Sequence, residues 1–529
     1  MRVHGTLASL LVAGTVSFSL PLAAQPAAEA LGKVNFETSC SPEAQIQFNR
    51  AMLFQHSFWY RASQRSFENA LKADPQCGIA FWGIALSLLW NPHIAPPPRN
   101  LAAGASALDK AANAVPKTER ERDWLAAIGE MYKDFENVQH VQRVQNYARA
   151  MAALAAKYPS DDEAQIFYGL ALNISASPAD KTYANQLKGA AILEKIWERQ
   201  PDHPGVAHYL IHLYDVPALA EKGLPAARRY AKVAPDSPHA LHMPSHIFTR
   251  VGYWQESIDS NLASARVAKE DGEPTDQLHA MDYLVYAYLQ LGQDAKAKAV
   301  IDEMAAVQKF SEAAMAGPFG LAASPARYAV EREEWKAAAA LEVRETPQLH
   351  VKAITWFAKG LGAARTGEVA AAETAIAQLK ALHGQLVEKK DAYWAEQVSI
   401  QMQVVSAWTL FAKGDREGAM KAMQQAAEAE DRTEKSPVTP GPLAPARELY
   451  GAMLLEQGKA REALAEFEAT MRKEPNRLNT LVSAAATASR IDDKAKARQY
   501  YEAAVRQVGS DGAGRPEVER ARRFLSTPR

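Results

Sequence analysis

Residues 444–475, APARELYGAMLLEQGKAREALAEFEATMRKEP, read as two helices of about a dozen residues each, joined at Gly458 and closed by Pro475. A side chain as small as that of Gly451 lets two helices of a pair cross closely. Ala463 and Phe467, four residues apart, share one face of the second helix and seat it against the first. The next unit repeats the pattern 34 residues on, with Ala497, Tyr501 and Ala504. A fixed period of this length, punctuated by Gly, Asp-Pro and Glu-Pro, is the signature of a stacked helical array.

Working outward, Ser63, Phe67, Ala70 and Asp74-Pro75 carry the same spacing near the N-terminus, and Trp356, Gly360, Gly367 and Ala372 carry it in the middle. In these spacings the chain resembles the tetratricopeptide repeat family. The resemblance implies an all-α, right-handed superhelical solenoid of antiparallel helix pairs, about 11–12 of them over this length. It also implies that the first helix of each pair lines a concave groove. A chain of 529 residues exceeds what one core supports, whereas a repeat array grows without that limit because each unit packs only on its neighbours.

The expected segments are a leader at 1–24, a lead-in at 25–42, N-terminal repeats at 43–117 and divergent helix pairs at 118–200. A histidine-rich set of repeats follows at 201–310, then further repeats at 311–435, a Pro-rich loop at 436–443 that leans over the groove, and repeats at 444–510. Residues 511–529 read as a capping helix and tail, which covers the last apolar face of a solenoid. Insertions at Asn91-Pro92-His93 with Pro96-Pro97-Pro98, and at Tyr214-Asp215-Val216-Pro217, lengthen two of the turns.

The first residues, Met1-Arg2-Val3-His4, then an apolar stretch to Leu22 and small residues at Ala23-Ala24, have the form of a secretory signal peptide. Cleavage is expected after Ala24, with Ala28-Glu29-Ala30 as a second small-x-small site. A periplasmic or secreted protein follows from this reading, and no later segment is apolar for long enough to span a bilayer. Cys40 and Cys77 would then lie in an oxidising compartment, each ahead of the first helix of an adjacent repeat, as a disulfide or as two buried thiols. The formal net charge of −1 gives no electrostatic reason to expect nucleic acid or an anionic membrane as partner.

Thirteen histidines are present, and seven of them fall between His203 and His279. His208 and His242 are 34 residues apart, as are His212 and His246, so two neighbouring helices carry the same pair. Each pair is spaced i, i+4 and projects from one helix face, one turn apart. Aligning Gly252 with Gly292 puts His279 opposite His239, Asp282 opposite His242 and Tyr286 opposite His246. On the tetratricopeptide resemblance these residues face one stretch of concave wall. Imidazoles from helices 8–10 Å apart can converge on one metal ion.

Six imidazoles with Asp282 as a further ligand favour zinc, copper or iron over magnesium or calcium. Tyr286, or Arg250 one turn beyond His246, would orient a substrate or stabilise developing negative charge. The competing reading is a polar groove wall for a protein or peptide partner, as the resemblance implies for most members of the family. There His56, Trp82, Trp90 and Arg327 also count: His56 as a groove residue or a satisfied interhelical histidine, Trp82 and Trp90 as a landing surface or core, and Arg327 as a carboxylate clamp. A third reading is an assembly factor that uses its outer helices. The runs Glu331-Arg332-Glu333-Glu334 and 428–435 read as solvated helix faces. No HExxH, CxxC, GxSxG or phosphate-binding glycine loop occurs.

Overall fold

The computed structural model describes Met1 and residues 30–114, 117–312, 314–510 and 514–527. The expected leader beyond Met1, with its cleavage site, lies outside the described residues. The described chain is helical throughout, without strands, in 26 α-helical segments and one 3-10 turn. Pro238–His242 and Pro244–Arg250 form one rod interrupted at Met243, because Pro244 has no N–H to continue the ladder. Counted so, the segments make twelve successive antiparallel pairs and a closing helix, Pro516–Ser526. None of the described helices is long and apolar enough to cross a membrane.

Local chemistry explains where helices start. Ser41, Asp161 and Ser237 cap the next helix with their side chains, and Thr118 and Glu121 form a reciprocal capping box. The inner helices Pro204–Tyr214, Pro238–Arg250 and Pro274–Gln290 each begin on proline, whose fixed φ suits the first turn. Packing bears out the motif reading: a Cβ at Gly451 would stand 2.7 Å from Phe467 and one at Gly83 would stand 2.3 Å from Phe67, so the same glycine-to-phenylalanine crossing recurs at both ends of the chain. The divergent stretch also folds as regular pairs, Glu119–Tyr132 with His140–Lys157 and Asp162–Ile174 with Ala184–Trp197.

The lead-in runs along the edge where one pair turns into the next. Its Ser41 and Ser39 amides donate to Asp74 and Glu121, Lys33 N–H donates to the Asp202 carbonyl, and Phe36 is buried among Phe48, Trp82 and Trp124. Cys40 and Cys77 form a disulfide, the first of the two thiol readings.

The concave wall is not an open groove. The segment 433–445 crosses it as a strap: Lys181 holds the Thr433 carbonyl and Glu434, Lys435 reaches Asp215, Tyr283 donates to the Thr439 carbonyl, and Arg327 donates to the carbonyls of Gly441 and Pro442. Farther along, the C-terminal repeats turn back onto the middle of the chain, with Arg477 on Glu331 at 2.6 Å and Trp254 donating to the Asn476 carbonyl at 2.8 Å. The two charge runs expected on solvated faces are thus partly interior. Glu331 and Lys435 are buried because each meets an opposite charge from a distant repeat.

Candidate metal centre

The inner helices at 204–214, 238–250 and 274–290 bring six histidines together as two groups of three. His208, His212 and His239 form one, and His242, His246 and His279 the other, each with its ligand atoms within 4.8 Å of one another. Each group is an i, i+4 pair completed by a histidine from the first turn or two of the following helix. The 34-residue register therefore holds, but the site it builds is two triads in place of one shared cluster. Asp282 belongs to neither group, for its carboxylate accepts from Ser324 at 3.3 Å.

Within the triads, nitrogen faces nitrogen. His208 Nε2 stands 3.1 Å from both His212 Nε2 and His239 Nε2, and His242 Nε2 stands 2.9 Å from His246 Nε2. On His208, His242 and His246 the opposite ring nitrogen is committed as a donor. His208 Nδ1 lies 2.6 Å from the His56 carbonyl and His246 Nδ1 lies 3.0 Å from Asp215, both acceptors only. His242 Nδ1 meets Asn261 Oδ1 at 2.7 Å, and that amide is oriented by its own donation to the Ser257 carbonyl. A neutral imidazole with its proton on Nδ1 presents a lone pair at Nε2. The close Nε2 pair of His242 and His246 is thus lone pair against lone pair.

Burial keeps these rings neutral. It pushes His208 and His279 down to about 3, with neighbouring imidazoles adding to the shift at both, and holds His212, His239 and His242 well below the ordinary value for the same two reasons. Two nitrogens bound to one ion at about 2.0–2.1 Å stand roughly 3.0–3.4 Å apart, close to the spacing seen in both triads. Donation from Nδ1 to a carbonyl or carboxylate is also what orients a ligating imidazole and raises its basicity.

The surroundings are built from remote parts of the chain. Asp215 takes Arg250 at 2.8 Å and Lys435 at 2.9 Å beside His246, and those cations hold its carboxyl far below the usual range against the opposing effect of burial. Phe58 lies over the first triad, its ring 4.3 Å from His208, 5.2 Å from His239 and 5.7 Å from His212. It does so at φ +53°, a conformation that costs a non-glycine residue energy and that tertiary packing must hold. His93, from the inserted turn, packs with its ring centroid 4.6 Å from that of His212, and its Nε2 is buried without a hydrogen-bond partner.

A third group, His56, Glu163 and His203, is self-contained: Glu163 accepts from both Nε2 atoms at 3.0 Å, and the His56 carbonyl is the one that receives His208. Of the other residues read as groove positions, His56 and Trp82 are interior, Arg250 is on Asp215, and Arg327 clasps the strap while lying over the Tyr286 ring. Tyr286 accepts from Arg477, and Trp90 is half-buried in the inserted turn. Arg250 and Lys435 also line a pocket with Phe319, Tyr393, Trp394 and Gln401. Sequence reasoning placed the six histidines but not His93, Asp215, Lys435, Asn261 or Phe58. The one sequence sign at two of them is that His93 and Asp215 sit in the turns that interrupt the repeat.

The fold is TPR-like. No protein-family model matches the chain, and no curated protein matches it. Among solved structures it is similar to a human IFIT1 dimer with PPP-AAAA, at 11% identity over 90% of this chain and 96% of that one, TM-score 0.36. It is similar to yeast Tom70, at 11% identity over 91% and 95%, TM-score 0.29. It is similar as well to the TPR domain of P58(IPK), at 17% identity over 69% and 98%, TM-score 0.21. The fold assignment rests on the twelve helix pairs themselves.

Proposed function

We propose that this chain is a metal-binding protein in which each histidine triad holds one transition-metal ion, zinc, copper or iron. The observation that carries the reading is the 2.9 Å approach of His242 Nε2 to His246 Nε2 with both Nδ1 protons already committed. Without a cation between them, two buried lone pairs at that distance repel. An all-imidazole donor set suits those three metals and not magnesium or calcium. With three protein ligands each, the ions keep an open position, the arrangement in which a bound water or substrate is activated. An exported location belongs to the same reading and is supported by the Cys40–Cys77 disulfide.

The test is metal analysis of protein purified without a histidine tag and offered each metal in turn. Close to two equivalents are expected, falling to one in His208→Ala/His212→Ala and to one in His242→Ala/His246→Ala. Folded protein that takes up no metal by mass spectrometry or calorimetry would overturn the reading. If such metal-free protein instead captured a specific partner, the function would return to that of a scaffold. A peptide in the groove would then have to displace the strap, since Arg327 and Arg250 are already occupied by this chain's own groups.

A further inference from the structure

Each triad supplies three neutral donors and no negative charge. The carboxylates nearby are spoken for: Asp215 by Arg250, Lys435 and His246, and Glu163 by His56 and His203. Two divalent ions here would place four positive charges in a buried, uncharged shell, and buried charge is costly unless it is compensated. Compensation has to come from outside the protein, at the positions the triads leave open.

The triads adjoin. The His212 and His246 rings are 6.1 Å apart, and so are those of His239 and His242. His93 offers, beside His212, a buried nitrogen that nothing in the chain satisfies. Such an atom costs free energy unless it has a partner. Phe58 packs on all three rings of the first triad and covers one side of it.

Resting on the two-ion reading above, we propose that the paired sites bind one small inorganic anion, of the hydroxide or azide class, shared between the two ions and hydrogen-bonded by His93. The anion neutralises part of the ions' charge and completes both coordination shells. His93 is a positioning residue for it and not a metal ligand.

The probe is azide added to the full-length protein loaded with two equivalents of Cu(II), followed by absorption and by electron paramagnetic resonance. One azide per two copper ions is expected to saturate a ligand-to-metal band while the copper resonance loses intensity through coupling of the two ions. His93→Ala is expected to load copper normally and to bind azide about tenfold more weakly, the effect of losing one hydrogen bond to a charged group. His93→Gln, which keeps a donor, should recover part of the affinity. Two azides per chain with uncoupled copper signals, or none, would overturn the shared site while leaving the metal reading intact. Unchanged affinity in His93→Ala would overturn the role of His93, and failure to take up copper, zinc or iron would overturn the underlying metal reading itself.

Discussion

His246 presents its lone pair inward because Asp215 takes the proton on the other side of the ring at 3.0 Å. Replacing that carboxylate by an amide removes the negative charge and allows the amide N–H to face the ring, so Asp215→Asn is expected to weaken metal at the second triad about 10- to 100-fold, measured by competition with a chelator. Unaltered affinity would show that the tautomer is fixed by something else. A second residue, outside both triads, reports on burial alone. His350 stacks on Trp394 with ring centroids 4.1 Å apart, its Nε2 has no partner, and burial holds it at about 3 against an ordinary 6.5. The unfolded chain therefore binds the proton first as pH falls below 6.5, so folded stability is untouched above that value and is lost between 6.5 and about 3. At pH 5.5 the loss from this one group is about 1 kcal/mol. His350→Phe should reduce the fall in urea midpoint between pH 7.5 and 5.5, and an identical fall would exclude His350 as its source. At this scale the sequence showed the candidate ligands and hid their partners: His208, His212, His242 and His246 obey a local period. Asp215, His93 and Lys435 reach the centre from turns and from a segment 220 residues away, where no periodicity points.

Two elements that are not helices decide how the inner wall is used. The lead-in is tied by the disulfide, which closes a loop with a sequence separation of 37 residues. A loop of that size constrains the unfolded chain by about 3–4 kcal/mol in the chain-entropy picture. Cys40→Ser/Cys77→Ser is therefore expected to lower stability by about that amount in denaturant titration. It is also expected to brighten or shift the emission of Trp82 and Trp124, on which Phe36 packs. A loss under 1 kcal/mol would mean that the lead-in docks without its tether. Of the strap at 433–445, the loop at 436–443 was legible as Pro-rich and as leaning over the groove. Its docking was not, because Arg327 meets only backbone carbonyls there and a carbonyl leaves no mark in the sequence. The divergent pairs between 118 and 200 lacked repeat markers yet fold regularly, since the Thr118 and Asp161 caps and apolar faces suffice without the consensus.

At the scale of the whole molecule, the period predicts a superhelix but not how far it winds, and the winding is what encloses the centre. Its lock is Arg477, fully buried, with Glu331 at 2.6 Å, Glu448 at 3.1 Å and the Tyr286 hydroxyl at 2.8 Å. These partners lie 146, 29 and 191 residues away in the chain, so each contact but the nearer glutamate crosses from one turn of the solenoid to another. Removing one member of a buried ion group leaves the others uncompensated, at a cost of about 3–5 kcal/mol. The price falls on closure and not on the individual pairs, whose own packing is unchanged. Arg477→Ala is thus expected to keep its helical circular dichroism while its radius of gyration in small-angle scattering increases and amides in 274–290 and 322–331 exchange faster. Because the strap and the returning repeats both cover the inner helices, the same variant should release bound metal to a chelator sooner than the wild type does. A variant as compact as the wild type, with metal release unchanged, would show that the strap alone seals the centre.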